Sequence, residues 1–317
     1  MKHLLAVLCA SAAIVNAQEI TGIANFSHIV ANLDKSLEFY RDVLGLEVAT
    51  PPRPFDGNPA IMKLGDTPGA QSRMTQLKMP GAPAGSAGVE IIEYKDIDRK
   101  PAHPRFQDPG AANLSLRVRD FDGVVQRAKK SGTHILTQGG EPVTINGTHS
   151  FFMQDPDGFV VELSQSQNPG SGFEATVDNL DRTVEAYRAL GLQPAAPNAW
   201  NGNKAMTDNA GTPGAQFRQS RAPIQGSTAG AAPAAIAFIE FKDIDRKPLH
   251  TRTQDPGTAI LQLNVRGVEA MLPKLKAAGF TVVSTGGVPV DIGGGKIALV
   301  RDPNNLFLEL IERGPAK

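Results

Sequence analysis

Short apolar segments recur along the chain, separated by stretches rich in proline and glycine. An alternating or continuous run of apolar residues is typical of a half-buried or buried strand, and proline and glycine favour turns and loops. In the first half this pattern predicts strands over residues 24–31, 46–50, 71–79, 88–95, 113–118, 133–137, 150–154 and 159–165. The stretches between them are predicted to be loops.

Two segments of the first half have the spacing of an amphipathic helix instead. The first is predicted to begin at Asp34, which can cap it, and to end near Leu44 because Gly45 follows. The second is predicted to run from Asp120 to about Lys130. The first half therefore has the order strand, helix, three strands, twice over.

The second half repeats the first. Residues 93–110 (EYKDIDRKPAHPRFQDPG) match residues 240–257 (EFKDIDRKPLHTRTQDPG) at 14 of 18 positions, with an offset of 147. A repeat of this length is a whole domain rather than a solenoid unit. The sequence thus predicts two domains, residues 18–166 and 173–313, joined by a linker at 167–172.

The first residues have the pattern of a secretory signal peptide. An apolar run from Leu4 to Val15 follows a basic start, and Ala17 ends a small-residue cleavage site. We expect residues 1–17 to be removed and the mature protein to be secreted or periplasmic. The run is too short to span a bilayer, so no membrane attachment is expected. Cys9 is the only cysteine, so the mature chain has neither disulfides nor thiolate chemistry.

Charge excludes one class of partner. The chain has 32 Lys and Arg against 32 Asp and Glu, and the formal net charge is zero. Without a basic patch, the electrostatic signature of a nucleic-acid binder is absent. The expected partner is a small molecule, and the mature protein is expected to be a monomer or a homodimer.

Two motifs resemble a known family. The segment SHIVANLDKSLEFYRDVLGLEV (27–48) resembles the opening of a vicinal-oxygen-chelate (VOC) domain, the fold of glyoxalase I, bleomycin-resistance proteins and extradiol dioxygenases. The segment QDPDGFVVELSQ (154–165) is similar to the closing strand of that domain, and RDPNNLFLELIE (301–312) repeats it. The resemblance covers essentially the whole mature chain. It implies an α+β fold of tandem VOC domains, in which four βαβββ modules form two half-open barrels.

Which modules pair is left open by the resemblance, because family members join neighbouring modules or exchange them between the halves. Function is open as well, since the superfamily includes lyases, dioxygenases, thiol transferases and plain binding proteins.

The resemblance implies metal ligands on the first and last strands of each module. Carried onto this sequence, the ligands are His28, Glu93 and Glu162, with Glu309 in place of Glu162 if the modules are exchanged. Such a set would hold one divalent ion, whether Zn, Ni, Mn, Fe or Mg, and leave room for a substrate. Glu93 and Glu162 are also the candidate catalytic residues, and Asn113 is a candidate for substrate binding.

No metal is expected on the matching positions of the second half, because none of them is a histidine; they are Ala175, Glu240, Ile260 and Glu309. An alternative for the first half is that His28 is a hydrogen-bonded core residue. Buried glutamates also need a partner, which can be an arginine or a lysine instead of a metal.

The best-preserved part of the repeat is the loop within residues 93–110 and 240–257. One explanation is a network of salt bridges and turns that holds the loop in place. The other is a loop over the barrel mouth, in which His103 and Arg105 bind an anionic substrate.

Three functional hypotheses follow. The first is a metal-dependent enzyme on a small oxygen-chelating substrate. A glyoxalase-like lyase or isomerase is favoured over a dioxygenase, because the two-histidine, one-carboxylate iron site is absent. The second is a metal-free binding protein with the barrel cavity as its pocket. The third is an exported, non-catalytic pseudo-enzyme.

Overall fold

The computed structural model describes residues 20–224 and 234–314. The predicted signal peptide lies outside these residues. The fold is α+β, with four successive modules in which a first strand leads into a helix and then into further strands. Across the described ranges, no helix has the length and apolar character needed to cross a membrane.

The first two modules occupy the first half of the chain. Module 1 contains β1 (Ile20–Ile29), α1 (Leu33–Glu38), β2 (Glu47–Thr50), α2 (Pro59–Gly65), β3 (Gln71–Lys78) and β4 (Gly88–Lys95). Module 2 contains β5 (Ala112–Val118), α3 (Phe121–Lys130), β6 (His134–Ile135), β7 (Val143–Ile145), β8 (Thr148–Gln154) and β9 (Val160–Gln165).

The second half repeats this order. Module 3 contains β10 (Gly170–Thr176), α4 (Leu180–Arg188), α5 (Lys204–Asn209), β11 (Gln216–Pro223) and β12 (Ala235–Lys242). Module 4 contains β13 (Ala259–Val265), α6 (Val268–Ala277), β14 (Thr281–Val282), β15 (Val290–Ile292), β16 (Gly295–Arg301) and β17 (Phe307–Glu312). The end of the predicted linker, Gly170–Gly172, is part of β10.

Several predicted boundaries shift. The cap of α1 is Asn32 rather than Asp34, because the Asn32 side chain accepts a hydrogen bond from the Lys35 amide at 3.0 Å. The helix continues as a π-helical turn (Phe39–Val43) before Gly45. Helix α2 was not predicted, since its proline suggested a loop, yet Pro59 occupies the first turn, where a proline is tolerated.

The strands form two curled sheets, each with strands from both halves of the chain. A nine-stranded sheet joins modules 1 and 4 in the order β14-β16-β17-β13-β1-β4-β3-β2, with β15 on β16. An eight-stranded sheet joins modules 2 and 3 in the order β11-β12-β10-β5-β9-β8-β6, with β7 on β8. We call them the 1–4 barrel and the 2–3 barrel. Of the two pairings that the sequence left open, the structure has the exchanged one.

Each barrel is closed at its centre by the first strands of its two modules. In the 1–4 barrel, β1 and β13 are antiparallel, with Asn25 opposite Gln262. In the 2–3 barrel, β10 and β5 are antiparallel, with Glu174 opposite Asn113. Side chains alternate between the two faces of a strand, so these pairs fix which residues share the inner face.

The apolar faces of both barrels pack into one continuous core. Residues of all four modules contribute to it, and the fully buried Tyr40 and Tyr187 occupy matching positions. The rings of Phe26 and Phe173 stack across the two barrels with their centroids 5.7 Å apart. The two barrels are therefore packed against each other and share one core.

Candidate active site

His28 is a core residue at the contact between the two barrels. Its side chain is buried, and its Nε2 lies 2.8 Å from Oδ2 of Asp155, which belongs to module 2. The Tyr40 hydroxyl donates to the same Asp155 oxygen at 3.1 Å, and the imidazole stacks on Phe159 at 4.6 Å. Burial and the neighbouring Asp155 carboxylate raise the pKa of Tyr40 well above its usual range. The imidazole is thus fully engaged away from the barrel cavities.

Glu93 has a structural role at the start of a helix. It forms a 2.7 Å ion pair with Arg73 and accepts a hydrogen bond from the Leu33 amide at 3.0 Å, at the N-terminus of α1. Its counterpart Glu240 does the same in module 3, with Arg218 and the amide of Leu180 as its partners. Helix capping and an ion pair with arginine therefore explain why both halves have a glutamate at this position.

The first copy of the duplicated loop is fastened to the second. Arg105 pairs with Asp108 of its own loop at 2.7 Å and with Asp245 of the other loop at 2.9 Å. Asp108, which is buried, also accepts a hydrogen bond from the Lys247 amide at 2.8 Å. Each contact to the second loop crosses from the module 1–2 connection to the module 3–4 connection.

The second copy returns the same contacts. Arg252 pairs with Asp255 at 2.7 Å and with Asp98 at 3.1 Å, and Asp255 accepts from the Lys100 amide at 2.8 Å. Each loop thus binds the other through the same ion pairs and hydrogen bonds. Reciprocity explains why the sequence keeps both copies so similar, since each copy is the binding partner of the other.

His103 and Arg105 do not line either barrel cavity. His103 is exposed, with a left-handed backbone φ of 46°. Arg105 is held by its two aspartates. The contacts agree with the salt-bridge explanation of the loop rather than with substrate binding.

The 1–4 barrel encloses a small polar cluster. The Glu90 carboxylate accepts hydrogen bonds from Ser27 at 3.1 Å, from Gln76 at 2.8 Å and from Gln262 at 2.8 Å. The same Gln262 nitrogen lies 3.4 Å from Glu309. The amide of Gln262 therefore bridges two carboxyl groups from opposite ends of the chain.

The cluster occupies a cavity of about 160 Å³ whose other walls are mainly apolar. Burial and the charge of Glu90 raise the pKa of Glu309 to about 8, against the hydrogen bond from Gln262. Burial raises the pKa of Glu90 as well, although its three hydrogen bonds oppose the shift. At neutral pH the pair therefore retains a proton, because two buried carboxylates repel each other.

The 2–3 barrel encloses a larger cavity of about 390 Å³. Its walls include five phenylalanines and several polar side chains, of which the charged ones are Arg117, Glu162, Glu174 and Arg221. Gln219 donates a hydrogen bond to Glu174 at 2.7 Å. Of the predicted site residues, Glu162 lines this cavity, and Glu309, the ligand predicted for exchanged modules, lines the smaller one.

The two glutamates of this cavity have raised pKa values. Burial and then the charge of Glu162 raise the pKa of Glu174 to about 7, and the Gln219 hydrogen bond and the Arg221 charge oppose this shift. Burial raises the pKa of Glu162, opposed by Ser115 and Asn113. Carboxyl groups with pKa values near the working pH are suited to accept and return protons.

Asn113 lies between these carboxyl groups. It is fully buried, faces Glu174 across the β5–β10 pair, and has no hydrogen-bond partner for either side-chain amide atom among the described residues. Its neighbour on the same face, Ser115, is opposite Glu162 on β9. Buried amides are usually hydrogen-bonded, but Asn113 lies close enough to Glu162 to lower the pKa of that carboxyl group without the geometry of a hydrogen bond to it.

The structure does not bring the predicted metal ligands together, whether the third is Glu162 or Glu309, which was expected for the exchanged modules and lies beside Glu90 instead. His28 contacts Asp155 between the barrels, Glu93 pairs with Arg73, and Glu162 lies in the other barrel. Across residues 20–224 and 234–314, no group of three His, Cys, Asp or Glu side chains is arranged to hold a metal.

The oxygen donors of the 1–4 barrel match a metal better than the predicted set does. Glu90 and Glu309 supply carboxylates, and Gln262 is an amide beside them, with its nitrogen towards both carboxyl groups and its oxygen accepting from the Asn25 amide. Carboxylate and amide oxygens suit a hard ion such as Mg²⁺ or Mn²⁺.

The sequence reasoning missed the inner-face residues Glu90, Glu174, Arg117 and Arg221. Side chains alternate between the two faces of a strand, so Glu90 and Glu93 on β4 point to opposite faces. The sequence of the strand does not show which of these faces lines the cavity. Identity between the halves favoured Glu93, whereas the position matching Glu90 is Ala237. An isolated acidic residue within an apolar strand was the signal that could have identified Glu90.

Comparison with known proteins gives the family. Residues 22–163 match the model of the Glyoxalase/Bleomycin resistance protein/Dioxygenase superfamily. Modules 1 and 2 therefore match this superfamily, and modules 3 and 4 repeat their order of elements. Glyoxalase I from Zea mays has a similar fold, with a TM-score of 0.61 over 92% of both chains and 17% sequence identity. The predicted family and its α+β fold of tandem modules are confirmed.

Two curated relatives each match less than half of this chain. A 2-epi-5-epi-valiolone epimerase from an Actinomyces species is 27% identical over 148 residues, which are 44% of this chain and 77% of the relative. A probable lactoylglutathione lyase from Vibrio parahaemolyticus is 26% identical over 147 residues, which are 46% of this chain and 91% of the relative. At this level the relatives establish that the chain is like enzymes of this superfamily, without giving its substrate.

Proposed function

We propose that this protein is an enzyme of the lyase or isomerase type, which moves a proton at a carbon next to a carbonyl group of a small organic molecule. The observation that carries the proposal is the pair Glu162 and Glu174 in the 390 Å³ cavity of the 2–3 barrel. A cavity of this size suits a small molecule. The names of the two relatives, an epimerase and a lyase, support the reaction type.

Each carboxyl group has a role in the proposed reaction. Glu174, as the carboxylate, accepts the proton from the carbon, and the electron pair of that C–H bond moves to the carbonyl oxygen, which becomes an enolate. Glu174 then returns the proton to the same carbon or to its neighbour. Glu162 stays a carboxylate, and its charge helps burial to raise the pKa of Glu174 to about 7, where Glu174 can both accept and return a proton.

Hydrogen exchange at carbon tests this role before the natural substrate is known. The protein is incubated in D₂O with uncharged hydroxyacetone, and proton NMR follows deuterium entering the carbon next to the carbonyl. We expect wild-type protein to speed up exchange and Glu174→Gln to slow it by about 100-fold or more, the usual effect of losing a general base. Glu185→Gln is the matched control, because Glu185 is exposed on α4 and pairs with Arg188.

Two results would contradict the proposal: no catalysed exchange by the wild-type protein, or equal exchange by Glu174→Gln and wild type. If exchange is absent while a small molecule still binds, the binding-protein hypothesis takes its place.

A second candidate is a metal-dependent enzyme with its ion in the 1–4 barrel. Glu90 and Glu309 would hold the ion once the Gln262 amide, whose nitrogen faces both carboxyl groups, turns its oxygen towards them. A bound ion would supply Lewis-acid polarisation of a substrate oxygen. The clustering of these groups around Glu90 favours this candidate. Titration with Mn²⁺, followed by electron paramagnetic resonance, tests it: wild type should bind at micromolar concentration and Glu309→Gln should not. Equal binding by both would rule out this site.

We also propose that residues 1–17 direct export, on the basis of their sequence alone. Mass spectrometry of the mature protein should find Gln18 at its N-terminus. A retained leader would contradict this.

A further inference from the structure

The cavity of the 2–3 barrel contains two arginines as well as two glutamates. Arg117 is on β5 and Arg221 is on β11, and both line the cavity wall. The charge of Arg221 acts on Glu174, so its guanidinium is close to the proposed base. Proteins usually bind an anionic ligand with arginine or lysine side chains that face the cavity and are not already held in ion pairs within the protein.

The internal repeat shows that these charges distinguish one barrel from the other. In the 1–4 barrel, Gln76 on β3 lies opposite Glu90 on β4. At the same place in the 2–3 barrel, Arg221 on β11 lies opposite Ala237 on β12. A neutral amide is thus replaced by a cation, and a carboxylate by a methyl group, on the same inner face.

Arg117 adds a second positive charge of the same kind. Its counterpart in the repeat is Asn264, and no arginine or lysine is among the lining residues of the 1–4 cavity. Arg117 makes no hydrogen bond or ion pair with the part of the chain that the structure describes. It lies over Gly170, where a Cβ atom would collide with the guanidinium. A glycine at position 170 therefore leaves space for this arginine beside the cavity.

We propose that the substrate of the 2–3 barrel is a small organic acid or phosphate ester, whose anionic group is bound by Arg117 and Arg221. The inference rests on the proposed function, because it places the anionic group in the cavity that holds Glu174. Two guanidinium groups offer several N–H donors in a planar arrangement that matches a carboxylate or a phosphate. The reacting carbon then lies between these arginines and the glutamates.

Calorimetric titration at low ionic strength and pH 7 with three probes tests the proposal. The probes are malonate, methylphosphonate and malonamide, which is the uncharged counterpart of malonate. We expect the anions to bind at least about tenfold more tightly than malonamide, because a charge-assisted hydrogen bond is stronger than a neutral one. Whichever anion binds more tightly identifies a carboxylate or a phosphate as the natural group.

Variants assign the binding to the two arginines. Arg221→Gln and Arg117→Gln should each weaken anion binding by about tenfold or more, and Arg221→Lys should restore part of it. Gly170→Ala should weaken binding without changing any charge, because it displaces the Arg117 guanidinium. Arg188→Gln, an exposed arginine of α4, should bind as wild type does.

The inference is overturned if wild type binds none of the anions, if malonamide binds as tightly as malonate, or if Arg221→Gln binds anions as wild type does. The proposed function is judged separately, by deuterium exchange into uncharged hydroxyacetone and by the loss of that exchange in Glu174→Gln. If the cavity binds anions but deuterium exchange is not catalysed, the inference stands and the proposed enzymatic function fails. If exchange is catalysed but anions are not preferred, the proposed function stands and the inference fails.

Discussion

The 1–4 barrel and the 2–3 barrel have the same strand order but opposite treatments of buried charge. In the first, Glu90 and Glu309 are bridged by Gln262 and enclosed in a 160 Å³ cavity with apolar walls. In the second, Glu162 and Glu174 face a 390 Å³ cavity with two arginines on its wall. One barrel satisfies its carboxyl groups internally, and the other leaves polar groups available to a ligand.

The difference shows how a duplicated fold separates structure from chemistry. The residues that stay identical, such as Glu93 and Glu240 or the two interlocked loops, hold helices and modules in place. The residues that differ, such as Gln76 and Arg221 at one register position, face the cavities. Apart from Glu162 and Glu309, which are identical and line the two cavities, identity between the halves therefore marks the scaffold and divergence marks the candidate site.

The largest effect that we predict on stability is for a residue that only one barrel has. His28→Ala should lower the free energy of unfolding by about 3 kcal/mol, because it removes the imidazole partner of buried Asp155 and opens a cavity beside Phe159. The matching position in the other barrel is Ala175, so Asp302 has no imidazole partner there and accepts from Tyr187, Asn304 and Leu306. Urea unfolding measures the change.

His149→Ala is the control for that measurement, since His149 is exposed and should cost little. A loss below about 1 kcal/mol for His28→Ala would mean that the imidazole is not the partner that stabilises Asp155.

The interlocked loops give the next largest predicted effect on stability. Because the two loops make equivalent contacts, the same loss is expected at two positions. Arg105→Ala and Arg252→Ala should each cost about 2 kcal/mol, because each removes a guanidinium from a buried aspartate, Asp108 or Asp255. The expected equality of the two losses tests whether the loops are equivalent. Lys35→Ala, at an exposed position of α1, is the control for a lost surface charge.

The ion pair of Arg252 and Asp255 also predicts how stability depends on pH. Burial alone would raise the pKa of Asp255, but hydrogen bonds from the Arg252 side chain and amide and from the Lys100 amide outweigh it, so the pKa is lowered. A lowered pKa adds stability above the unfolded value, near 3.8, that is lost as the pH falls through the folded value. Arg252→Ala should therefore lose less stability than wild type on acidification below about pH 4. Parallel acid-unfolding curves for the two proteins would contradict the assignment.

The sequence predicted more of the scaffold than of the site. The repeat offset, the helix-stop glycine Gly45 and the strand motifs were enough for the family, the fold and four modules. They could not decide the pairing of modules, because a strand such as β1 has the same pattern whichever partner it takes. The exchange depends on contacts between residues far apart in sequence, such as Asn25 and Gln262.

The site was harder for a physical reason. Whether a glutamate in an apolar strand is a ligand, a cap or a base depends on its inner or outer face and on its neighbours across the sheet. Glu93 and Glu162 have similar local sequences but different surroundings: an arginine at a helix start, and a wide cavity beside a second carboxyl group. Metal binding, the identity of the substrate and export stay predictions.

The raised pKa of Glu309 predicts a smaller, pH-dependent effect that separates the barrels. A carboxyl group whose pKa is raised to about 8 in the folded protein contributes stability that is present below its unfolded pKa, near 4.5, and that declines as the pH rises towards 8. Glu309→Gln should remove this decline and be more stable than wild type by about 1–2 kcal/mol at pH 8.

For Glu174 the corresponding decline should end near pH 7, where its pKa lies. Urea unfolding at pH 5, 6, 7 and 8 compares Glu309→Gln and Glu174→Gln with wild type. Identical pH dependence in Glu309→Gln and wild type would mean that the Glu90–Glu309 pair does not hold a proton.

The smallest expected effect concerns a feature in which the barrels are nearly interchangeable. Phe55 lies between Arg73 and Lys95, and Trp200 takes the equivalent position between two cations of module 3, with cation–ring distances of 4.4–4.9 Å in all four contacts. Since indole binds cations better than a phenyl ring does, Trp200→Phe should cost about 0.5 kcal/mol and Phe55→Trp should gain a similar amount. Thermal unfolding of both variants and of the double variant measures the exchange. The double variant should match wild type, because the two sites are in different barrels and share no partner, and a large loss in it would mean that each ring is shaped for its own barrel.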